Sequence, residues 1–314
     1  MAEALGYHAV WFGEHHYSGY SFGSPPVIGR DGRVPGFEGA GVVTKLGSQV
    51  DPTLGLQAGI RVAFFPAAAA WSDEVVVSAS SVVPLPVTIP DEVGAQMLIN
   101  TISALTVIRT AHDSLPLDAR EGVVTVLTGA GSAVGRLIGK ILTGRGVTVI
   151  RLVRSERSAT ALAAALPGPP VFAIESEGWK ERVRSAARGT KIHVAIDSVG
   201  GRLLGDVADL LEDETGTVVN FGSLGGETSD IRLFPPRSLT LKGVALSSWQ
   251  RHALDQRSAD VALALQLAQE PEALFEIAAR YAPSQIAEAV AHIGRAGRAG
   301  VVLIDFSKER RPGT

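Results

Sequence analysis

The octapeptide Thr128-Gly129-Ala130-Gly131-Ser132-Ala133-Val134-Gly135 constrains the fold more than any other stretch of this chain. It follows Val123–Leu127, an apolar β-branched run with a strand's texture, and precedes Ala133–Gly144, which has a helix's periodicity. A glycine-rich turn from strand to helix is a phosphate cradle. Gly129 and Gly131 permit tight turning and close backbone approach to a pyrophosphate, and Gly135 lets the helix pack on the sheet. The helix N-terminus adds free N–H groups and the positive end of its dipole. Gly129, Ala130, Gly131, Ser132, Ala133, Val134 and Gly135 are therefore the expected cofactor contacts. A lone glycine cluster also occurs in ordinary turns; the strand before it and the helix after it favour the cradle.

Strand and helix patterns alternate from Gly122 onward. Strands are expected at Val123–Leu127, Val147–Val153, Val171–Ile174, His193–Asp197, Thr217–Phe221 and Leu239–Ala245, and helices near Ala133–Gly144, Ser155–Leu166, Gly178–Ala187 and Arg202–Leu211. That order means βαβ units and a parallel sheet, in an α/β, doubly wound domain. Upstream, glycine, proline and short valine-rich runs at Ala40–Val43, Arg61–Phe65 and Glu74–Val77 read as an all-β domain, with Val83–Pro86 as irregular connection. Asp91–Ala111 reads as a helix. After Ser258, helical patterns at Ala259–Glu270, Glu272–Tyr281 and Ser284–Ile293 precede a last strand, Gly300–Ile304. The expected division is a β domain over residues 1–105, completed by 250–314, and a dinucleotide-binding domain over 106–249.

A length of 314 residues suits two domains. The formal charge is −3 with basic residues spread along the chain, which disfavours nucleic acid as a partner. There is no cysteine, so disulfides, thiolate nucleophiles and cysteine-bearing zinc sites are excluded. No apolar run reaches the roughly 18 residues of a membrane helix, and no signal-peptide layout opens the chain. A cytoplasmic protein is expected.

The end of the second strand, about 20 residues past the turn, selects the nucleotide. Arg154 stands there, with Ser155 and Arg157 close behind. A guanidinium and a hydroxyl suit a 2′-phosphate, which points to NADPH; Glu156 is the alternative ribose ligand and would point to NAD.

Further motifs are Pro35-Gly36-Phe37-Glu38-Gly39-Ala40-Gly41-Val42-Val43, Asn100-Thr101-Ile102-Ser103-Ala104, Ala195-Ile196-Asp197-Ser198-Val199-Gly200-Gly201 and Gly222-Ser223-Leu224. Together with the glycine turn they resemble the medium-chain dehydrogenases/reductases over roughly Pro35–Phe306. The variants Ser132–Arg136, Val153-Arg154 and Leu241–Trp249 look most like the 2-enoyl thioester reductase and quinone oxidoreductase branches. The resemblance implies a GroES-like β domain beside a Rossmann domain, and a homodimer through Leu239–Ala245, the last Rossmann strand. It implies cofactor contacts from Ser103, Phe221 and Gly222, a catalytic Asn100 near the nicotinamide, and a catalytic tyrosine, of which Tyr20 matches better than Tyr17. Phe37 stands where zinc-dependent branches carry a histidine, so no metal is expected. Glu38 reads as structural, and Trp249 either borders the substrate cleft or packs in the core.

The expected reaction is zinc-independent hydride transfer from NADPH to an activated C=C of an enoyl thioester or enone. The alternatives are NADPH:quinone oxidoreduction and, from another class, an NADPH-binding, oligomer-forming protein with little catalysis. Residues 2–17 depart from the family and resemble a fragment of luciferase-like monooxygenases, so the β domain is expected to be incomplete at its N-terminus. Glu14-His15-His16 is a weak metal candidate, because adjacent histidines on a strand point to opposite faces.

Overall fold

The computed structural model describes residues 6–7, 11–13, 34–117, 122–226, 228–295 and 297–309. These divide into two compact units. One comprises the residues up to Thr101 together with those from Ala259 onward; the other runs from Ile102 to Ser258. The breaks fall at 101/102 and 258/259, against the expected 105/106 and 249/250.

The Ile102–Ser258 unit holds a six-stranded sheet. Its strands are β6 (Val124–Leu127), β7 (Thr148–Val153), β8 (Val171–Ala173), β9 (Val194–Asp197), β10 (Thr217–Asn220) and β11 (Thr240–Gly243). Every pairing is parallel, in the order β11-β10-β9-β6-β7-β8. Counted from β6 this is the doubly wound order 3-2-1-4-5-6, which reverses between β6 and β9; ligands of such sheets bind beyond the carboxyl ends of the strands at that point. The helices between strands are α2 (Ala133–Gly144), α3 (Glu156–Ala165), α4 (Trp179–Ala186) and α5 (Gly201–Ala208). Valine and isoleucine fill β6, β7 and β9 because helices cover both faces, and Val126, Ile150, Ala195, Leu204 and Val218 meet in one core.

The other unit is built on a mainly antiparallel sheet. Its strands are β1 (Gly6–Tyr7), β2 (Trp11–Gly13), β3 (Gly39–Lys45), β4 (Arg61–Phe64), β5 (Val82–Pro84), β12 (Ile277–Tyr281) and β13 (Val301–Asp305). The order is β12-β13-β2-β3-β4-β5, with β1 also on β3. Among the described residues, β2 pairs with both β13 and β3. Helix α1 (Asp91–Asp113) begins in this unit, α6 (Leu254–Ala268) ends in it, and α7 (Ile286–Ile293) packs Ala289 and Ile293 against Val302 and Ile304.

Three expectations are corrected. Glu272–Tyr281 is not a helix. Ala273 takes φ +63, a left-handed turn that stops helix growth, and Ile277–Tyr281 pairs in parallel with β13. Glu74–Val77 buries Val75 and Val77 and exposes Val76, as a strand does, yet it is in no ladder among the described residues. Val83-Pro84, expected as irregular, belongs to β5 at the sheet edge, where proline is tolerated.

Glu38 enters this core between Phe37 and β3. It is 2% exposed; Oε2 accepts the Ile99 N–H of α1 at 3.0 Å, and Oε1 has no partner. Burial pushes its pKa well above the ordinary carboxyl value, the backbone bond only partly opposing this. The folded carboxyl keeps its proton where the unfolded one has lost it. Its contribution to stability is therefore complete below the unfolded pKa, about 4.3, and is lost as pH rises through the raised folded pKa. Glu38→Gln removes that loss. Denaturant titrations should show the variant gaining on the parent by up to about 1.4 kcal/mol per pH unit across this window, and a pH-independent difference would contradict the assignment.

Candidate dinucleotide-binding site

The carboxyl ends of β6, β9 and β10 are joined by one side chain. Asp197, fully buried at the end of β9, accepts from the Thr128 hydroxyl at 2.6 Å and the Val199 N–H at 3.1 Å on Oδ1. On Oδ2 it accepts from the Gly200 N–H and the Asn220 amide, each at 2.8 Å. Four donors satisfy a carboxylate that water does not reach. Thr128 then accepts the Ser198 N–H on its hydroxyl at 3.0 Å, and Asn220 also donates to the Gly222 carbonyl at 2.9 Å. The loops after β6, β9 and β10 thus share one fixed frame.

Within that frame the three glycines of the turn differ. Gly129 has φ +57, and a Cβ there would lie 2.3 Å from Ser198 Oγ; at Gly135 it would lie 2.4 Å from the Gly129 carbonyl oxygen. Both are required by the protein's own packing. Gly131 lacks a positive φ, and the nearest atom to its Cβ position, a Val153 methyl, is 3.8 Å away. Tight turning is therefore the task of Gly129, and the space over Gly131 is open to a ligand. Ser132 caps α2 by accepting the Gly135 N–H at 3.0 Å, while the first-turn N–H groups of Ala133 and Val134 have no acceptor within the helix. Ala130 is fully buried and donates its N–H to the Leu152 carbonyl at 3.1 Å. An open glycine beside outward N–H groups fits a dinucleotide's pyrophosphate.

β7 delivers Arg154 beside this turn, just past Val153. Arg154 and Arg157 are exposed and have no ion pair or side-chain hydrogen bond among the described residues. Ser155 caps α3, its hydroxyl accepting the Ser158 N–H at 3.3 Å. Glu156, the rival ribose ligand, accepts the Ser176 hydroxyl and lies 4.0 Å from Arg182. Arg151, by contrast, is buried in β7 and donates to the Leu166 and Pro169 carbonyls, a structural role.

Ser103 and Phe221 come together around a cavity of about 30 Å³ with Thr106, Val107, Val244 and Leu246. Gly222 is buried next to it in sequence. Asn100 is fully buried in the other unit; its amide donates to the Gln96 carbonyl at 2.8 Å, and its Oδ1 has no partner. Phe37 is 60% exposed. Trp249 is buried, with the Arg257 guanidinium 5.6 Å from its ring centre. Tyr17, Tyr20 and Glu14–His16 lie outside the described residues. Sequence reasoning assigned no role to Asp197 or Asn220; an acid ending a buried strand just before Gly200-Gly201 was the available signal.

The zinc-binding dehydrogenase family model matches residues 133–270. Compactin diketide synthase of Penicillium citrinum is 28% identical over 225 residues, which are 70% of this chain and 8% of that protein. The mitochondrial enoyl-[acyl-carrier-protein] reductase of Xenopus tropicalis is 27% identical over 222 residues, 68% of this chain and 59% of the reductase. The chain thus matches less than two thirds of either relative. Escherichia coli quinone oxidoreductase, solved with NADPH, superposes with a TM-score of 0.79 at 21% identity, covering 96% of this chain and 91% of that one. The fold is that of Escherichia coli quinone oxidoreductase, and residues 133–270 are similar to the zinc-binding dehydrogenases.

The strand order accounts for where the glycine turn lies, and the Asp197 frame is what holds that turn in place. Asp197→Asn turns an amide toward donors that need an acceptor. It should lower stability by about 1–3 kcal/mol without changing the far-ultraviolet dichroism of the folded protein. Unaltered thermal melting would show that the four-donor frame contributes nothing.

Proposed function

We propose that this chain is an NADPH-dependent, zinc-independent reductase that transfers hydride to an activated C=C, of an enoyl thioester or an enone. The observation that carries the cofactor half is Arg154, a guanidinium with no partner among the described residues at the end of the second Rossmann strand, with Glu156 engaged elsewhere. Arg154, with Arg157, would hold the 2′-phosphate, and the N–H groups of Ala133 and Val134 the pyrophosphate. A reduced nicotinamide bound there supplies the hydride; the protein orients the acceptor and meets the negative charge that develops on it. Ser103, Phe221 and Gly222 belong to the cofactor side of this reading, and Asn100 and Tyr20 to the catalytic side. The enoyl reductase relative supports the acceptor class. Zinc-free chemistry is supported by the absence of cysteine and by Phe37 at the histidine place.

The quinone oxidoreductase solved with NADPH favours a second reading, a quinone as acceptor. In either case the protein would be a cytoplasmic homodimer paired along β11, whose four residues are all exposed and whose one partner strand among the described residues is β10.

NADPH oxidation with crotonyl thioesters and quinones in parallel decides the acceptor. Binding without turnover of either class would leave a cofactor-binding protein. Arg154→Ala should raise the Kd for NADPH by roughly 10-fold or more and leave NADH nearly unchanged; equal losses would remove the 2′-phosphate assignment. Gly131→Ala, which the chain itself accommodates, should melt like the parent yet lose NADPH binding.

A further inference from the structure

Arg136 lies in the first turn of α2 and is 8% exposed. Its Nε donates to the Gly131 carbonyl at 3.1 Å, across the glycine turn. The bond itself has a geometric consequence. It fixes the carbonyl of the Gly131–Ser132 peptide, while the N–H of the same peptide is held by the Gly129 carbonyl at 2.9 Å. With both ends of that peptide committed, the turn keeps one orientation, in which Gly131 stays open and the Ala133 and Val134 N–H groups remain unspent on the protein.

We propose that Arg136 is a positioning residue for the pyrophosphate of the bound dinucleotide: it locks the Gly131–Ser132 peptide of the cradle. This rests on the NADPH reading above. Arg136 and Arg154 then divide the nucleotide between them, one acting at the pyrophosphate and the other at the 2′-phosphate.

The test compares two probes, NADPH and adenosine 2′-monophosphate, which keeps the 2′-phosphate but has no pyrophosphate. Titration of Arg136→Gln should show the Kd for NADPH raised roughly 10-fold or more, with the Kd for adenosine 2′-monophosphate within about twofold of the parent. Arg136→Lys, which keeps the charge and loses the Nε donor, should fall between the two and guards against a folding defect in the glutamine variant. Arg154→Ala should weaken both probes. An unchanged NADPH affinity in Arg136→Gln, or an equal loss for the two probes, overturns the assignment while leaving the NADPH reading in place. Failure of the parent protein to bind NADPH at millimolar concentration overturns both.

Discussion

The loops after β6, β9 and β10 all depend on the Asp197 carboxylate. A buried charge is tolerated only where donors replace water, and Asp197 has four, drawn from the ends of β6 and β10 and from its own loop. The requirement runs in both directions. The strands bring the donors, and the charge fixes where the loops leave the strands. Gly129 follows Thr128 directly, and the clash that a side chain at 129 would make is with Ser198, the residue after Asp197. The cradle is therefore positioned by the β9 loop as much as by the strand that leads into it.

Beyond this frame two cations stand at the next strand end. Arg154 and Arg157 have no ion pair among the described residues, and the N-terminus of α2 has no acid in its first turn. Cations elsewhere on the same unit behave differently. Lys180 is held between Asp206 at 2.7 Å and Asp209 at 3.5 Å, and Arg184 reaches Asp209 at 2.9 Å. Those charges neutralise one another, whereas Arg154 and Arg157 have no carboxylate partner among the described residues. An anionic ligand would complement them.

How much of this was legible in the sequence follows from how local each signal is. Helix α2 was readable at both ends because Ser132 and the periodicity of Ala133–Gly144 are contiguous. The Rossmann strands were readable for the same reason, each within one or two residues of its bounds. Ile277–Tyr281 was not, because its alanines favour a helix and only pairing with β13, more than twenty residues on, makes it a strand. Glu74–Val77 shows the converse, alternation without a ladder. Asp197 was present in a motif and Asn220 in an expected strand, but their roles depend on partners up to 69 residues apart in the chain, a separation that spacing does not encode.

The glycines of the turn carry the same lesson into function. A sequence presents Gly129, Gly131 and Gly135 as equivalent members of one motif. The structure separates them by what a Cβ would meet: a serine hydroxyl at 129, a backbone carbonyl at 135, and only a methyl in ordinary contact at 131. Gly129 and Gly135 are consequences of folding, since the turn closes only without side chains there. Gly131 is not, and a glycine that packing does not demand still costs conformational entropy in the unfolded chain. The proposed dinucleotide, approaching the backbone there, would account for it. Arg136 points the same way, because the carbonyl it holds belongs to that glycine.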